Sequence, residues 1–373
     1  MRGYRRRESD YTARQSMANL KLSPGVVTGN ALKELFAYCK EVDCALPAVN
    51  VIGSSSANAA LQAAREAKAP IIIQLSHTGS QFFAGKSLDN AQQQASIAGS
   101  IAGALHVRTM AKVYGVPAVL HTDHCAKKIL PWVEGVIAAG EDYFAKNGEP
   151  LFSSHMLDLS EQPIDENLEI SRRVLQQMAK MNMTLEIELG ITGGEEDGVD
   201  HSGADHSKLY TQPEDVLKAY DALNPVGSFT VAAAFGNTHG VYAPGNVKLK
   251  PTILRDSQKY IIAQRKTGPE PVSFVFHGGS GSTEEEIREA VSYGVVKMNI
   301  DTDTQWAYTQ PIKKFMDEKS AYLQAQLGNP EGPDKPNKRY IDPRGWTHLG
   351  EKGFTARLVK AFKDLGSFGK FDF

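Results

Sequence analysis

From residue 45 onward, short apolar runs and longer helical patterns trade places eight times. The apolar runs cover residues 45–52, 70–76, 116–124, 151–159, 183–190, 229–236, 272–277 and 295–301. Each is apolar at nearly every position rather than at alternate ones, the pattern of strands covered on both faces in a parallel sheet. Helical stretches at 56–69, 91–114, 129–147, 167–182, 214–224, 252–266 and 283–293 separate them. Thr283, with Glu286 three residues later, reads as an N-cap and capping box. Eight strand–helix units are the number that closes a (β/α)8 barrel, so the predicted fold class is α/β, a TIM barrel. A doubly wound open sheet is the alternative. It more often has fewer strands and a glycine-rich first turn, whereas here the first run ends at Asn50 and a serine-rich loop. After residue 310 the chain reads as helical, then Pro/Gly/Asn-rich over 328–336, then helical again from about Phe354. This predicts additional C-terminal helices packed on the barrel.

A length of 373 residues accommodates either one barrel or two domains. Apolar residues at 41% and charged residues at 23% supply a large core and argue against global disorder. Lys and Arg total 41 against 43 acids, a formal net charge of −2, so no overall cationic footprint points to nucleic acid. No apolar run reaches membrane-spanning length, and no membrane partner is expected. Cys39, Cys44 and Cys125 are too few and too scattered for a disulfide framework, which fits a reducing compartment, the cytoplasm. Arg2, Arg5, Arg6, Arg7 and Arg14 crowd the head of the chain. A transit peptide would read this way, but Glu8 and Asp10 interrupt it and no long amphipathic face follows. We expect a flexible Arg-rich extension over 1–20 and a single barrel unit over 21–373.

In such a barrel, catalytic residues stand at the C-terminal ends of the strands and in the loops after them. Those positions are Asn50, Ser76, Asp123 with His124, Asp158, Glu188, His239, His277, and Asn299 with Asp301. Mere loop starts would favour Gly, Asn, Ser and Pro. Three imidazoles with several carboxylates instead suit zinc or another first-row divalent ion, with a position open for substrate. His121 and His155 lie three residues before His124 and Asp158. They are expected on the opposite strand face, in structural packing, as is Cys125. Glu186 and Glu188 share a face. Glu188 with Asp158 offers a second metal position, and Glu186 is expected as a hydrogen-bonded structural group.

Two glycine-rich segments add to this. His277-Gly-Gly-Ser-Gly-Ser282 follows the seventh run and opens the Thr283 helix, where backbone N–H groups and the helix dipole favour an anion. Loops after strands seven and eight are where barrels usually bind phosphate. Gly193-Gly-Glu-Glu-Asp-Gly198 reads as a lid that carries a carboxylate inward. Lys338 and Arg344 flank the tail loop, where a second phosphate site and a solvated basic pair are both open readings. Together these suggest metal-assisted chemistry on a phosphorylated small molecule.

The chain resembles the class II, zinc-dependent fructose-bisphosphate aldolases. The segments that carry the resemblance are A-L-P-A-V-N at 45–50, L-H-T-D-H-C-A-K-K at 120–128, L-F-S-S-H-M-L-D-L-S at 151–160 and T-L-E-I-E-L-G at 184–190. They continue with G-G-E-E-D-G-V-D at 193–200, F-G-N-T-H-G-V-Y at 235–242, F-H-G-G-S-G-S at 276–282 and V-K-M-N-I-D-T-D-T-Q-W at 296–306. The match runs from about residue 22 to about 365. Its details are similar to the dimeric subgroup that acts on fructose bisphosphate rather than the tetrameric tagatose-type subgroup.

The resemblance implies the following. His124, His239 and His277 hold the catalytic zinc, and Asp158 and Glu188 belong to an alternate or second metal position. Asp123 protonates the oxygen on the aldehyde half. Glu196 is the base that takes the proton from dihydroxyacetone phosphate. Asn50, Gly240, Gly278, Gly279, Ser280, Asn299, Ile300, Asp301 and Thr302 bind substrate, with Asn299 also catalytic; Ser76, Lys338 and Arg344 bind the glyceraldehyde-phosphate half. A monovalent cation, K+ or Na+, and a homodimer are further implications. Two departures stand out: Thr238 replaces the more usual Val before His239, and the 77–80 loop, His-Thr-Gly-Ser, replaces Asn-Gly-Gly. The residues leave fructose, tagatose and sedoheptulose bisphosphate open as substrates. A metal-dependent hydrolase on the same barrel more often carries His-x-His on its first strand, which is lacking here. A binding protein with a dead site would not be expected to keep a full set of ligands, acid and base.

Overall fold

The computed structural model describes residues 20–191, 193–196, 199–200, 210–239 and 249–373. Among these, eight parallel strands close into a ring. They are β1 (Leu46–Asn50), β2 (Ile71–Ser76), β3 (Pro117–Asp123), β4 (Ser154–Leu157), β5 (Thr184–Leu189), β6 (Ser228–Ala233), β7 (Phe274–Phe276) and β8 (Val295–Asn299). Neighbours in sequence pair all the way round, from Ala48 opposite Ile72 to Val275 opposite Lys297. The ring shuts where β8 meets β1, with Met298 opposite Pro47. Nearly every residue of β1–β5, β7 and β8 is buried, because each strand faces packed side chains inside the barrel and helices outside it.

The helices explain their own limits. The helix α1 (Asn30–Glu41) precedes the ring, and α2 (Ser54–Ala67) follows β1. After β2 come two helices, α3 (His77–Ala84) and α4 (Gln94–Tyr114), the latter stopped by Gly115 in the left-handed region, φ 70°. Then follow α5 (Leu130–Asn147), α6 (Ile164–Ala179), α7 (Pro213–Leu223), α8 (Thr252–Arg265), α9 (Glu284–Val291) and α10 (Thr302–Glu318). The capping box at the start of α9 is formed: Thr283 Oγ1 accepts from the Glu286 amide while Glu286 accepts from the Thr283 amide.

The structure differs from the sequence reading in four places. Residues 77–80, expected as a loop, are the first turn of α3, because Ser76 Oγ caps it by accepting from the Gly79 amide at 3.2 Å. The last helix, α12 (Pro343–Asp364), starts about one decade of residues earlier than expected. Glycines at 345, 350 and 353 disguise it in sequence. At Gly353 the reason is contact: a Cβ there would sit 2.0 Å from the Ala307 carbonyl oxygen of α10. Between α10 and α12 lie a short hairpin, Leu327–Asn329 with Gly332–Pro336, and the single turn α11 (Lys338–Ile341). A two-residue strand, Gly25–Val26, also lies beside the start of β3, with Gly25 opposite Pro117. Of the expected extension over 1–20, residues 1–19 lie outside the described residues. Among the described residues no helix is long and apolar enough to cross a membrane.

Candidate active site and metal centre

The strand ends converge on one cluster. At the end of β3, His124 takes φ 38°, in the left-handed region, which breaks the in-and-out alternation of the strand. Its ring comes to lie 4.7 Å from that of His277, centroid to centroid, at 60°. His124 Nδ1 is 3.0 Å from Asp158 Oδ2 and 3.6 Å from Glu188 Oε2. His277 Nδ1 is 3.4 Å from the same Glu188 oxygen. Two donor sets result, Asp123–His124–His277 and His124–Asp158–Glu188, each with its ligand atoms within 4.8 Å of one another. Imidazoles and carboxylates at this spacing are the donor chemistry of a zinc-type site.

Amides hold the carboxylate of Asp123, which is fully buried. Asn50 Nδ2 donates to Oδ2 at 3.0 Å, and Asn299 Nδ2 to Oδ1 at 3.3 Å. Asn50 is itself fixed by Gln74 Nε2 at 2.6 Å. Two further asparagines tie adjacent strand ends together. Asn167 Nδ2 donates to the carbonyls of Leu159 and Glu188, and Asn237 Nδ2 to that of His277. The next loop is knotted in the same way, with the Gly279 amide on the Asn299 carbonyl at 3.2 Å and the Asp303 amide on Ser280 Oγ at 3.4 Å.

Charge below the cluster is balanced by a buried pair, Glu186 and Lys297. Burial works to raise the Glu186 carboxyl, but the Lys297 ammonium, with His121 and His277, outweighs it and holds the group well below the usual carboxylate range. Burial also works to raise Asp158, and hydrogen bonds from His124 and Ser160 again win. Burial works to lower His277, yet its bonds to Glu186 and Glu188 lift it to about 9. Burial, with Lys297 nearby, lowers His121 to about 3 and keeps it neutral. Burial also raises the Cys125 thiol, whose Sγ lies against the carbonyls of Ala126 and Ile129.

Of the sequence-predicted site residues, Asn50, Asp123, His124, Asp158, Glu188, His277 and Asn299 come together. Ile300, Asp301 and Thr302 continue from β8 into the start of α10, with the Ile300 amide on the Ala48 carbonyl at 3.0 Å. Gly278, at φ 60°, Gly279 and Ser280 form the adjoining loop. Ser76 is buried and committed to capping α3. Lys338 starts α11. Arg344 is exposed, its guanidinium held by Asp342 of its own turn at 2.6 Å. Glu196 and His239 lie on the short strands Gly193–Glu196 and Thr238–His239, which pair in parallel; their side chains, like Gly240, His201 and His206, lie outside the described residues.

One reading needs correction. His121 does not face away from His124: its Nε2 is 3.6 Å from Glu186, inside the barrel beside His277, because strand alternation already points His121 inward with Asp123 and the left-handed turn at His124 brings that second ring to the same side. Lys297 and Gln74 were missed. Their signal was present: each is a single polar residue inside a strand otherwise buried on both faces, where such residues are rare unless paired.

A closed α/β barrel with a cluster of imidazoles and carboxylates at the C-terminal mouth defines a metal-binding barrel enzyme. The family described as Fructose-bisphosphate aldolase class-II matches residues 30–370. The fructose-bisphosphate aldolase of Haemophilus influenzae is 58% identical over 346 residues, covering 92% of this chain and 96% of the relative. The fructose-bisphosphate aldolase class 2 of Escherichia coli is 56% identical over 348 residues, covering 93% and 97%. The crystal structure of fructose-bisphosphate aldolase from Campylobacter jejuni superposes with a TM-score of 0.85 at 50% identity, covering 94% of this chain and 98% of that one. The chain belongs to the class II fructose-bisphosphate aldolases.

Proposed function

We propose that this chain catalyses the reversible aldol cleavage of fructose 1,6-bisphosphate to dihydroxyacetone phosphate and glyceraldehyde 3-phosphate, with zinc as its metal. The observation that carries the reading is the pair of overlapping donor sets on His124 at the C-terminal rim of the barrel. His124, His239 and His277 would hold the ion, with Asp158 and Glu188 as an alternate position. When bound, the ion acts as a Lewis acid on the carbonyl beside the carbon that loses its proton.

The protein's residues supply the rest. Asp123, aimed by Asn50 and Asn299, takes the proton from the hydroxyl that becomes the aldehyde oxygen in cleavage and delivers it back to that oxygen in condensation. Glu196 takes the carbon-bound proton of dihydroxyacetone phosphate in condensation and returns it in cleavage. Gly240, Gly278, Gly279, Ser280 and residues 299–302 receive that phosphate, assisted by the N-terminus of α10. Ser76, Lys338 and Arg344 receive the other phosphate. The active form is a homodimer in the cytoplasm, with K+ or Na+ near the phosphate loops, and the single barrel unit spans residues 21–373.

The test is cleavage measured with and without a chelator, alongside borohydride reduction in the presence of substrate. A chelator is expected to abolish turnover and zinc to restore it, with no covalent trapping. Chelator-resistant turnover or a substrate-modified lysine overturns the reading.

A further inference from the structure

Beneath the donor cluster lies a buried ion pair that the proposed reaction does not use. Glu186 stands on β5 two residues before Glu188, and Lys297 on β8 two residues before Asn299. Each is 2% exposed. Lys297 Nζ donates to both oxygens of Glu186, at 2.8 Å each. Oxygen Oε1 of the same carboxylate is 2.8 Å from His277 Nε2. The other ring nitrogen, Nδ1, points to the cluster, 3.4 Å from Glu188.

We propose that Glu186 and Lys297 are positioning residues for His277: the carboxylate, pinned by lysine, fixes the ring's tautomer and turns Nδ1 toward the metal position. The proposal rests on the metal reading above. An ionised carboxylate only accepts hydrogen bonds, so the 2.8 Å contact at Nε2 keeps a proton on that nitrogen and leaves Nδ1 as the one that can serve a metal. A metal-ligating histidine is commonly set in this way by a carboxylate on its other nitrogen. The lysine adds what a carboxylate alone lacks. Two bonds to one ammonium fix both oxygens, so the acceptor cannot rotate away from the ring. A buried ion pair is a weak source of net stability compared with apolar side chains of the same volume, which leaves orientation of His277 as its use. His121, neutral and 3.6 Å from Oε2, closes the remaining side of the carboxylate.

The experiment has two arms on the full chain. In the first, ¹⁵N NMR of the zinc-loaded wild type reads the His277 ring. A proton on Nε2 with Nδ1 ligated is expected, and a proton on Nδ1 overturns the proposal. In the second, wild type, Glu186→Gln and the double variant Glu186→Gln/Lys297→Met are loaded with Co2+. Release to a chelator and the visible ligand-field spectrum are followed, with circular dichroism to confirm folding. Glutamine can turn its amide N–H toward Nε2 and so release Nδ1 from its role. Both variants are therefore expected to fold, to bind Co2+ about 10–100-fold more weakly and to show a shifted spectrum. Folded variants with wild-type affinity and spectrum make the pair purely structural and overturn the proposal. Wild type that binds no Co2+ or Zn2+ overturns the metal reading instead, a distinguishable failure.

Discussion

Replacing Asp123 by Asn separates the two roles open to this residue. Its carboxylate sits beside His124 and His277 as a potential ligand, yet both oxygens already accept amide hydrogens, from Asn50 at 3.0 Å and Asn299 at 3.3 Å. Asparagine has nearly the same shape but brings an N–H2 where one of those donors points. The two responses differ. Asn299 Oδ1 is buried without a partner among the described residues, so this amide can turn and offer its oxygen. Asn50 is held by Gln74 at 2.6 Å and resists turning. We therefore expect the new N–H2 to settle against Asn299. The lost charge on two bonds to a buried acceptor then costs roughly 2–3 kcal/mol of stability. That is several degrees in thermal midpoint for a chain of this size. Turnover is expected to fall by about 10²–10⁴-fold, the usual worth of a placed general acid. The assay couples cleavage kinetics to metal analysis of the same preparation. Full zinc content with lost turnover supports the acid role. Turnover within about tenfold of wild type refutes it, and loss of zinc shows instead that Asp123 is a ligand.

Two glycine substitutions should act in opposite directions. A Cβ on Gly99 of α4 would lie 1.7 Å from the Ser80 carbonyl oxygen of α3, whereas one on Gly140 of α5 meets nothing within 4 Å. Gly99→Ala is expected to lower the thermal midpoint by the roughly 1–3 kcal/mol of overpacking, and Gly140→Ala to raise it by up to about 1 kcal/mol; a shift of the same sign for both would refute the packing. In protein stripped of metal, His155 is held at about 3, below the ordinary 6.5, by burial and by nearby His121. The unfolded chain therefore binds an extra proton between those values, and stability drops as pH falls from about 6.5 toward 3. His155→Gln keeps a partner for Thr122 Oγ1, which now meets the ring at 2.8 Å, and removes one proton from that balance. The fall in stability from pH 6 to 4 is expected to ease by about 1.4 kcal/mol per pH unit. An unchanged slope in thermal scans refutes it.

The barrel was legible in the sequence because a strand buried on both faces must be apolar throughout, and eight such runs are hard to arrange otherwise. The positions of Asn50, Asp123, Glu188, His277 and Asn299 at strand ends followed from that register alone. What escaped was information that strands do not carry. The inward turn of the His124 ring depends on its own left-handed backbone, which alternation cannot foresee, and so His121 and His124 share a side despite their odd spacing. The early start of α12 was hidden by glycines whose purpose is close approach to α10, a tertiary reason rather than a local one. Lys297 was visible as a polar residue in an apolar strand, but its partner lies 111 positions away, and only the closed barrel brings Glu186 to it.

The seam between β8 and β1 also fixes when the site can exist. Lys297 registers with Leu46 and Asn299 with Ala48, so the ring shuts only when the last strand reaches the first. Asp123 is gripped from both sides of that seam, by Asn50 on β1 and Asn299 on β8. The Gly279 amide also waits on the Asn299 carbonyl. A chain still lacking its eighth strand already contains His124, His239 and His277 but lacks Asn299 and the closed ring around them. Contacts between such distant parts of a chain form late and slowly. The grip on Asp123, from Asn50 on one side and Asn299 on the other, is thus assembled only when the last strand meets the first.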